Sequence, residues 1–189
     1  MQRKKWEELN YAITTRKLTA AAVTGAAYAA LTMLLAPISY GAIQCRVSEV
    51  LCILPFFIPC TAWGLFAGCA IANLLSAAGI FDVVFGSLAT LLAALCTAWL
   101  GRGRGAQSWV RCILGALMPV VFNFVFVGAV LTWSLTDAVF PHLNASFWIF
   151  GGQVALGEVI VLGVLGLPLM RLLPRNPKFR EIVRSYQKE

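Results

Sequence analysis

A short polar stretch between two long apolar runs carries the side chains best suited to chemistry. Gln44, Arg46 and Glu49 supply an amide, a guanidinium and a carboxylate in sequence that is otherwise almost uncharged on both sides. Such groups are costly near hydrocarbon, so those that persist usually bind a solute or pair with one another. Arg46 and Glu49 are three residues apart, a spacing that lets them pair on one side of a helix. Two interpretations follow: an internal ion pair, or a site that binds a polar ligand.

Four further polar side chains stand in or beside apolar segments: Asp82, Asn123, Gln153 and Glu158. Asp82 can instead cap the first turn of a helix, and Asn123 can bridge two helices. Glu158 is harder to explain structurally, because a carboxylate near the middle of a membrane needs a strong partner or a proton. Gln153 and Glu158 are separated by about 140° around a helix, so we do not expect them to contact the same group of a ligand.

The composition is that of an all-α integral membrane protein. Of 189 residues, 60% are hydrophobic and 12% are charged, against roughly 25% charged in soluble domains. The net charge of +7 does not indicate nucleic-acid binding, because the basic residues concentrate at the termini and in one short loop. Six cysteines are scattered singly and there is one histidine. We therefore predict no metal, no cofactor and no catalytic residues.

Six transmembrane helices in one membrane domain, 1–189, are predicted to position these groups. The spans are 18–36, 47–58, 61–79, 82–100, 108–133 and 147–173, within a bundle over 17–173. Residues 47–79 would form a helix of about 50 Å in a hydrocarbon core of about 30 Å, so the chain must turn back near Pro55 and Pro59. Residues 1–16 are predicted as an interfacial segment, with Trp6, Leu9 and Ile13 on one side of a surface helix over 2–14. Residues 174–189 form a basic tail with a second such helix.

The distribution of charge predicts the orientation. Every Lys and Arg except Arg46 falls on the side of the two termini, which places both termini in the cytoplasm. The outer face then collects most of the polar candidates: Gln44, Arg46, Glu49 and Asp82, with Asn123 and Glu158 deeper in the membrane. An outward-facing acidic pocket of this kind suits a cationic or donor-rich solute.

Small residues recur at every fourth position of the first span. Ala22, Ala26 and Ala30 form a shallow groove that another helix can approach closely. The groove serves either packing inside the bundle or docking to another protein.

Three segments resemble the QueT family: GAIQCRVSE at 41–49, DVVFGSLAT at 82–90 and GQVALGE at 152–158. The resemblance covers about residues 15–173, and its members are substrate-binding S components of energy-coupling factor transporters assigned to queuosine precursors. It implies an S-component-like six-helix bundle in a bacterial cell membrane that binds 7-aminomethyl-7-deazaguanine or queuine under the first external loop. It also implies a transmembrane coupling protein, contacted by Ala22, Ala26 and Ala30, and two cytoplasmic ATPases.

The chemistry of the implied ligand suggests roles for the polar candidates. Adjacent N–H donors of a guanine-like ring fit a carboxylate, and an aminomethyl cation fits a second one. We expect Glu49 and Glu158 as the leading pair with Asp82 in reserve, and Arg46 holding the loop through Glu49. Gln44 and Asn123 would bind the carbonyl and ring nitrogens, and either Gln153 or Glu158 would support the other. The alternatives are an S component for a different vitamin-like solute and a stand-alone proton-coupled carrier using Glu158. An enzyme is disfavoured, since no nucleophile–base pair is present.

Overall fold

The described chain is helical throughout its regular parts. The computed structural model describes residues 2–41, 44–76, 78–103, 108–136 and 145–187. The α-helices are α1 (Gln2–Leu34), α2 (Ala36–Ser39), α3 (Thr61–Asn73), α4 (Ser87–Leu100), α5 (Trp109–Thr136), α6 (Ala145–Val161), α7 (Leu167–Leu172) and α8 (Pro177–Gln187). Val47–Phe56, termed here the central 3₁₀ helix, and Leu173–Arg175 are 3₁₀ helices, and Asp82–Gly86 and Leu162–Gly166 are π-helical segments.

Within the described residues, four segments are long and apolar enough to cross a membrane. They are Thr15–Leu34, Asp82–Leu100, Trp109–Thr136 and Ala145–Arg175, which coincide with the predicted first, fourth, fifth and sixth spans. The central 3₁₀ helix has 10 residues and α3 has 13, so each is only about 20 Å long. The predicted third span, 61–79, is therefore too long by about six residues, because the helix ends at Asn73. The central 3₁₀ helix and α3 are separated by a break between Phe56 and Thr61, where the prolines predict a turn.

The N-terminal helix differs from the sequence prediction. We expected a surface helix over 2–14 that is separate from the first span, but one helix runs unbroken from Gln2 to Leu34. Its 33 residues measure about 50 Å, more than the hydrocarbon thickness of about 30 Å. Residues 2–14 are therefore not a helix separate from the first span, and their position at the membrane surface stays a prediction. The side chains of Trp6, Leu9 and Ile13 lie outside the part of the chain whose side chains are described.

The C-terminal helix forms as predicted but uses its apolar side differently. In α8, the Phe179 ring meets the Phe57 ring edge-on, with centroids 5.3 Å apart. Val183 and Tyr186 are partly buried against the same hydrophobic cluster, and the Tyr186 hydroxyl donates to the carbonyl of Arg16 at 3.5 Å. The apolar side of α8 therefore packs on one end of the bundle, and its position at the membrane surface stays a prediction.

Glycines allow α1 and α3 to meet backbone to backbone. A Cβ atom on Gly64 would lie 1.9 Å from the carbonyl oxygen of Ala21, and one on Gly25 would lie 2.4 Å from that of Gly64. Because these approaches leave no room for any side chain, the crossing is fixed by backbone contact. The α1–α3 contact thus uses the glycine side of α1 and leaves its alanine side open.

The two ends of the bundle differ in charge. Arginines cluster at the end where α8 packs: Arg16, Arg102, Arg111, Arg180 and Arg184. The opposite end is formed by α2 and the residues that follow it, the turn after α3, the C-terminus of α5 and the first half of α6. These are termed the basic end and the cavity end.

Candidate functional site

An ion pair lies beneath the cavity end. Arg46 directly precedes the central 3₁₀ helix and Asp82 begins a π-helical segment. The Arg46 Nη2 and Asp82 Oδ2 atoms are 3.5 Å apart, and both residues are buried, at 4% and 0% exposure. Arg46 Nε and Asp82 Oδ1 have no hydrogen-bond partner. A buried pair is stable only when its remaining hydrogen-bonding capacity is satisfied. This pair still has one free donor, Arg46 Nε, and one free acceptor, Asp82 Oδ1.

Arg46 therefore does not hold its loop through the Glu49 side chain. Its guanidinium pairs with Asp82 and lies 5.3 Å from the centre of the Tyr40 ring. The Tyr40 hydroxyl donates to the carbonyl of Ala72 at 2.6 Å. The expected Arg46–Glu49 arrangement is wrong because Arg46 has extended backbone (φ −80°, ψ 99°), which takes its side chain off the helical face that carries Glu49.

Glu49 is engaged by uncharged donors instead. It is completely buried, its Oε1 accepts the Tyr28 hydroxyl at 2.5 Å, and its Oε2 accepts the Cys52 thiol at 3.0 Å. Tyr28 is a participant that sequence reasoning missed, since one tyrosine in an apolar helix gives no signal of its own.

Asn123 and Glu158 meet across α5 and α6. Asn123 Nδ2 donates to Glu158 Oε1, and the two residues are 3% and 2% exposed. Asn123 Oδ1 and Glu158 Oε2 have no hydrogen-bond partner. The Cys45 thiol, next to Arg46 in the chain, donates to the carbonyl of Gly157, next to Glu158, at 3.8 Å. The predicted candidates Arg46, Glu49 and Glu158 thus belong to one buried cluster, to which Asp82 is joined by its ion pair.

Asn73 is a second participant that the sequence prediction missed. It is completely buried near the end of α3, its Nδ2 donates to the Asp82 carbonyl at 2.9 Å, and its Oδ1 has no partner. A Cβ atom on Gly86 would lie 2.6 Å from Asp82 Oδ1 and 2.7 Å from Asn73 Nδ2. Glycine at 86 therefore lets the two polar groups come together. The signal was an amide inside an apolar run, the same signal that identified Asn123.

A cavity of about 210 Å³ opens at the cavity end, and the residues of the buried cluster do not line it. Its walls carry two amides that the sequence predicted, Gln44 and Gln153, together with the Tyr40 ring and Phe150. Val154 also lines it, and Glu158 follows Val154 by one helical turn. Gln153 thus faces the cavity while Glu158 lies deeper, in keeping with their predicted separation. Larger cavities of about 770 and 760 Å³ lie at the basic end, among exposed arginines. These cavities suit neither a cationic ligand nor a buried solute.

The unpartnered atoms define what the cluster can bind. Four buried acceptors of this cluster have no hydrogen bond: Asn73 Oδ1, Asp82 Oδ1, Asn123 Oδ1 and Glu158 Oε2. The corresponding charged donor is Arg46 Nε. Leaving a buried polar group unpaired costs about 1–3 kcal/mol. The arrangement therefore favours a small molecule that brings several N–H donors, a positive charge and at least one acceptor.

Comparison with known proteins assigns the family of this chain. The family model described as "QueT transporter" matches residues 18–175. A protein of Lactococcus lactis subsp. cremoris (strain MG1363), named "Queuosine precursor transporter QueT", is 31% identical over 147 residues, which are 76% of this chain and 84% of that protein. No solved structure matches the chain. The family match covers most of the bundle and includes all the buried polar residues described above. The chain belongs to the QueT transporter family.

Proposed function

We propose that this protein is the high-affinity substrate-binding subunit of an energy-coupling-factor importer for a queuosine precursor, 7-aminomethyl-7-deazaguanine or queuine. The observation that carries the proposal is the set of four unpartnered acceptors beside one charged donor. A 7-deazaguanine ring has adjacent N–H donors and a carbonyl acceptor, and its aminomethyl substituent is a cation. Charged groups give the stronger hydrogen bonds, so such a ligand satisfies the cluster better than a neutral solute. The relative's name, a queuosine precursor transporter, supports the same ligand class.

The contacts favour Glu158 and Asp82 as the two acids that receive the ligand. Both have an oxygen without a partner, whereas each oxygen of Glu49 already accepts a protein donor. A carboxylate has about four acceptor positions, so Glu49 still has capacity for a third contact. Gln44 and Gln153 line the cavity at the cavity end, and Asn123 and Asn73 offer carbonyl oxygens beside the acids.

The cavity supports a small solute. Drug-sized ligands occupy pockets of about 300–1,000 Å³, so about 210 Å³ suits a single bicyclic base. In this proposal the cavity end faces outward and the basic end faces the cytoplasm, following the positive-inside rule. Both termini are then cytoplasmic, and the central 3₁₀ helix and α3 complete six crossings of a locally thin bundle.

Substrate identity is tested by mass spectrometry of the small molecule that survives purification in detergent. The proposal predicts a 7-deazaguanine with an amine substituent. Recovery of a different vitamin-like compound would change the proposed substrate but leave the proposed S-component architecture in place. Uptake of the solute by cells that lack the coupling module would instead favour a proton-coupled carrier, for which the buried Glu158 is the candidate proton site.

Gly157 provides a prediction about the loop that carries Gln44. A Cβ atom at 157 would lie 2.6 Å from the Gln44 carbonyl oxygen and 3.2 Å from Cys45 Cα. We expect Gly157→Ala to push this loop off α6 and to weaken substrate binding by at least about tenfold, or 1.4 kcal/mol, in a calorimetric titration. Gly152→Ala is the matched control, because nothing lies within 4 Å of its added Cβ. Equal affinities of the two variants would show that the loop contact does not shape the site.

The coupling protein is proposed to dock on the alanine side of α1. Ala22, Ala26 and Ala30 are all exposed, while Gly25 on the other side contacts Gly64. We expect Ala26→Trp to abolish assembly with the coupling protein in a detergent pull-down and to leave substrate affinity unchanged. Ala67→Trp, at an exposed alanine of α3, should assemble normally. Assembly of the Ala26 variant at the level of wild type would remove this face from the interface.

A further inference from the structure

Two buried hydrogen bonds join α1 to the central 3₁₀ helix. The Tyr28 hydroxyl donates to Glu49 Oε1 at 2.5 Å, and the Thr32 and Ser48 hydroxyl oxygens are 2.6 Å apart. All four residues are 0% exposed. Thr32 already donates its one hydroxyl proton to the Tyr28 carbonyl at 2.8 Å, so Ser48 must be the donor to Thr32. These bonds attach α1 directly to the segment that carries Glu49.

Tyr28 lies on the side of α1 opposite the exposed alanines. It is two residues from both Ala26 and Ala30, or about 200° around the helix from each. The alanines are exposed while Tyr28 is buried. The backbone of α1 therefore lies between the proposed docking face and the Tyr28 side chain, whose hydroxyl contacts a carboxylate of the polar cluster.

The other attachment of α1 constrains how the helix can respond. At the crossing with α3, added Cβ atoms on Gly25, Gly64 and Gly68 would come within 2.4 Å of backbone oxygens. Such a contact leaves no space for sliding, so a change at Tyr28 is absorbed by tilting of α1 about the crossing. Tyr28 follows Gly25 by about one turn and is well placed to set that tilt.

We infer that Tyr28 couples substrate binding to docking. Its hydrogen bond to Glu49 changes when substrate binds, and this change alters the position of the alanine face of α1. This inference rests on the proposed function. A cationic ligand at Glu158 also attracts Glu49, because both carboxylates are buried in one cluster, in which the chain beside Arg46 contacts α6 at Gly157. Drawing Glu49 toward the ligand loosens its bond to Tyr28 and releases α1. Because such coupling is reciprocal, docking changes substrate affinity by the same factor.

The test measures the dissociation constant of the purified coupling module, with and without saturating 7-aminomethyl-7-deazaguanine. For wild type we expect the two constants to differ by about 5- to 150-fold, the usual range for coupled sites. Tyr28→Phe, which removes only the hydroxyl, should bring the ratio close to one while the module still binds. Thr32→Val is the matched control on the same helix, because it removes the other hydrogen bond to the central 3₁₀ helix. It should keep the wild-type ratio, since its partner Ser48 is uncharged and is not attracted by a cationic ligand.

Three outcomes would overturn the inference: a wild-type ratio of one, an unchanged ratio in Tyr28→Phe, or equal loss in Thr32→Val. Should Tyr28→Phe fail to fold, Glu49→Gln removes the negative charge that a cationic ligand is proposed to attract, and it should also bring the ratio close to one. Where both fold, a double-mutant cycle between them must be non-additive. Failure of wild type to bind any 7-deazaguanine would instead contradict the proposed function itself, which keeps the two failures distinct.

Discussion

Replacing Arg46 by methionine is expected to destabilise the protein by about 3–5 kcal/mol, the usual cost of leaving a buried charge uncompensated. The charge left behind is the carboxylate of Asp82, which is 0% exposed and has Arg46 as its ion-pair partner. The measurement is thermal or denaturant unfolding in detergent, followed by circular dichroism. Arg175→Met, at an exposed position, is the control and should leave stability nearly unchanged.

A double variant shows whether the pair or its imbalance causes the loss. Replacing a whole buried ion pair by apolar residues is often neutral or stabilising, so Arg46→Met with Asp82→Leu should recover most of the stability. The same double variant should not bind substrate, because it lacks both the charged donor and one acid. A double variant no more stable than Arg46→Met alone would show that Asp82 is not what destabilises the single variant.

Glu158→Gln is expected to lower substrate affinity by about 1.5–3 kcal/mol, the worth of a hydrogen bond to a charged group. This corresponds to roughly a 10- to 150-fold weaker dissociation constant. Glutamine has the shape of glutamate and can still accept from Asn123 Nδ2, the donor to Glu158 Oε1, so the fold should persist. Calorimetric titration with 7-aminomethyl-7-deazaguanine measures the change.

The control for this variant is Glu181→Gln, an exposed carboxylate of α8 at the basic end. It changes the net charge of the protein equally but should bind substrate as wild type does. Unchanged affinity in Glu158→Gln would remove Glu158 from the site and leave Asp82 as the remaining acid with an unpartnered oxygen.

Most of the buried polar residues were visible in the sequence, because polar groups within apolar runs are energetically costly and therefore informative. Asp82, Asn123 and Glu158 were found in this way, and all three are buried in the polar cluster. Their partners were harder to predict. The i, i+3 spacing of Arg46 and Glu49 presumes a helix at both positions, and the extended backbone at Arg46 breaks that assumption.

Tertiary packing decided the remaining differences. Tyr28 and Asn73 gain their importance only when α1 and α3 bring them beside Glu49 and Asp82. The apolar face of α8 is equally compatible with contact to lipid and contact to protein. The contact between Phe179 and Phe57 shows that this face packs on protein. Likewise, α1 continues through 2–14 because no proline or glycine interrupts those residues, a local fact that the amphipathic pattern obscured.

The central claim is that buried acceptors in this bundle exist to bind a cationic, donor-rich base. Its most direct test is calorimetric titration of the purified wild-type subunit with 7-aminomethyl-7-deazaguanine, with guanine as the competitor that lacks the aminomethyl cation. We predict saturable one-to-one binding of the 7-deazaguanine and much weaker binding of guanine. No heat of binding for the 7-deazaguanine, or equal affinity for the two bases, would contradict the claim.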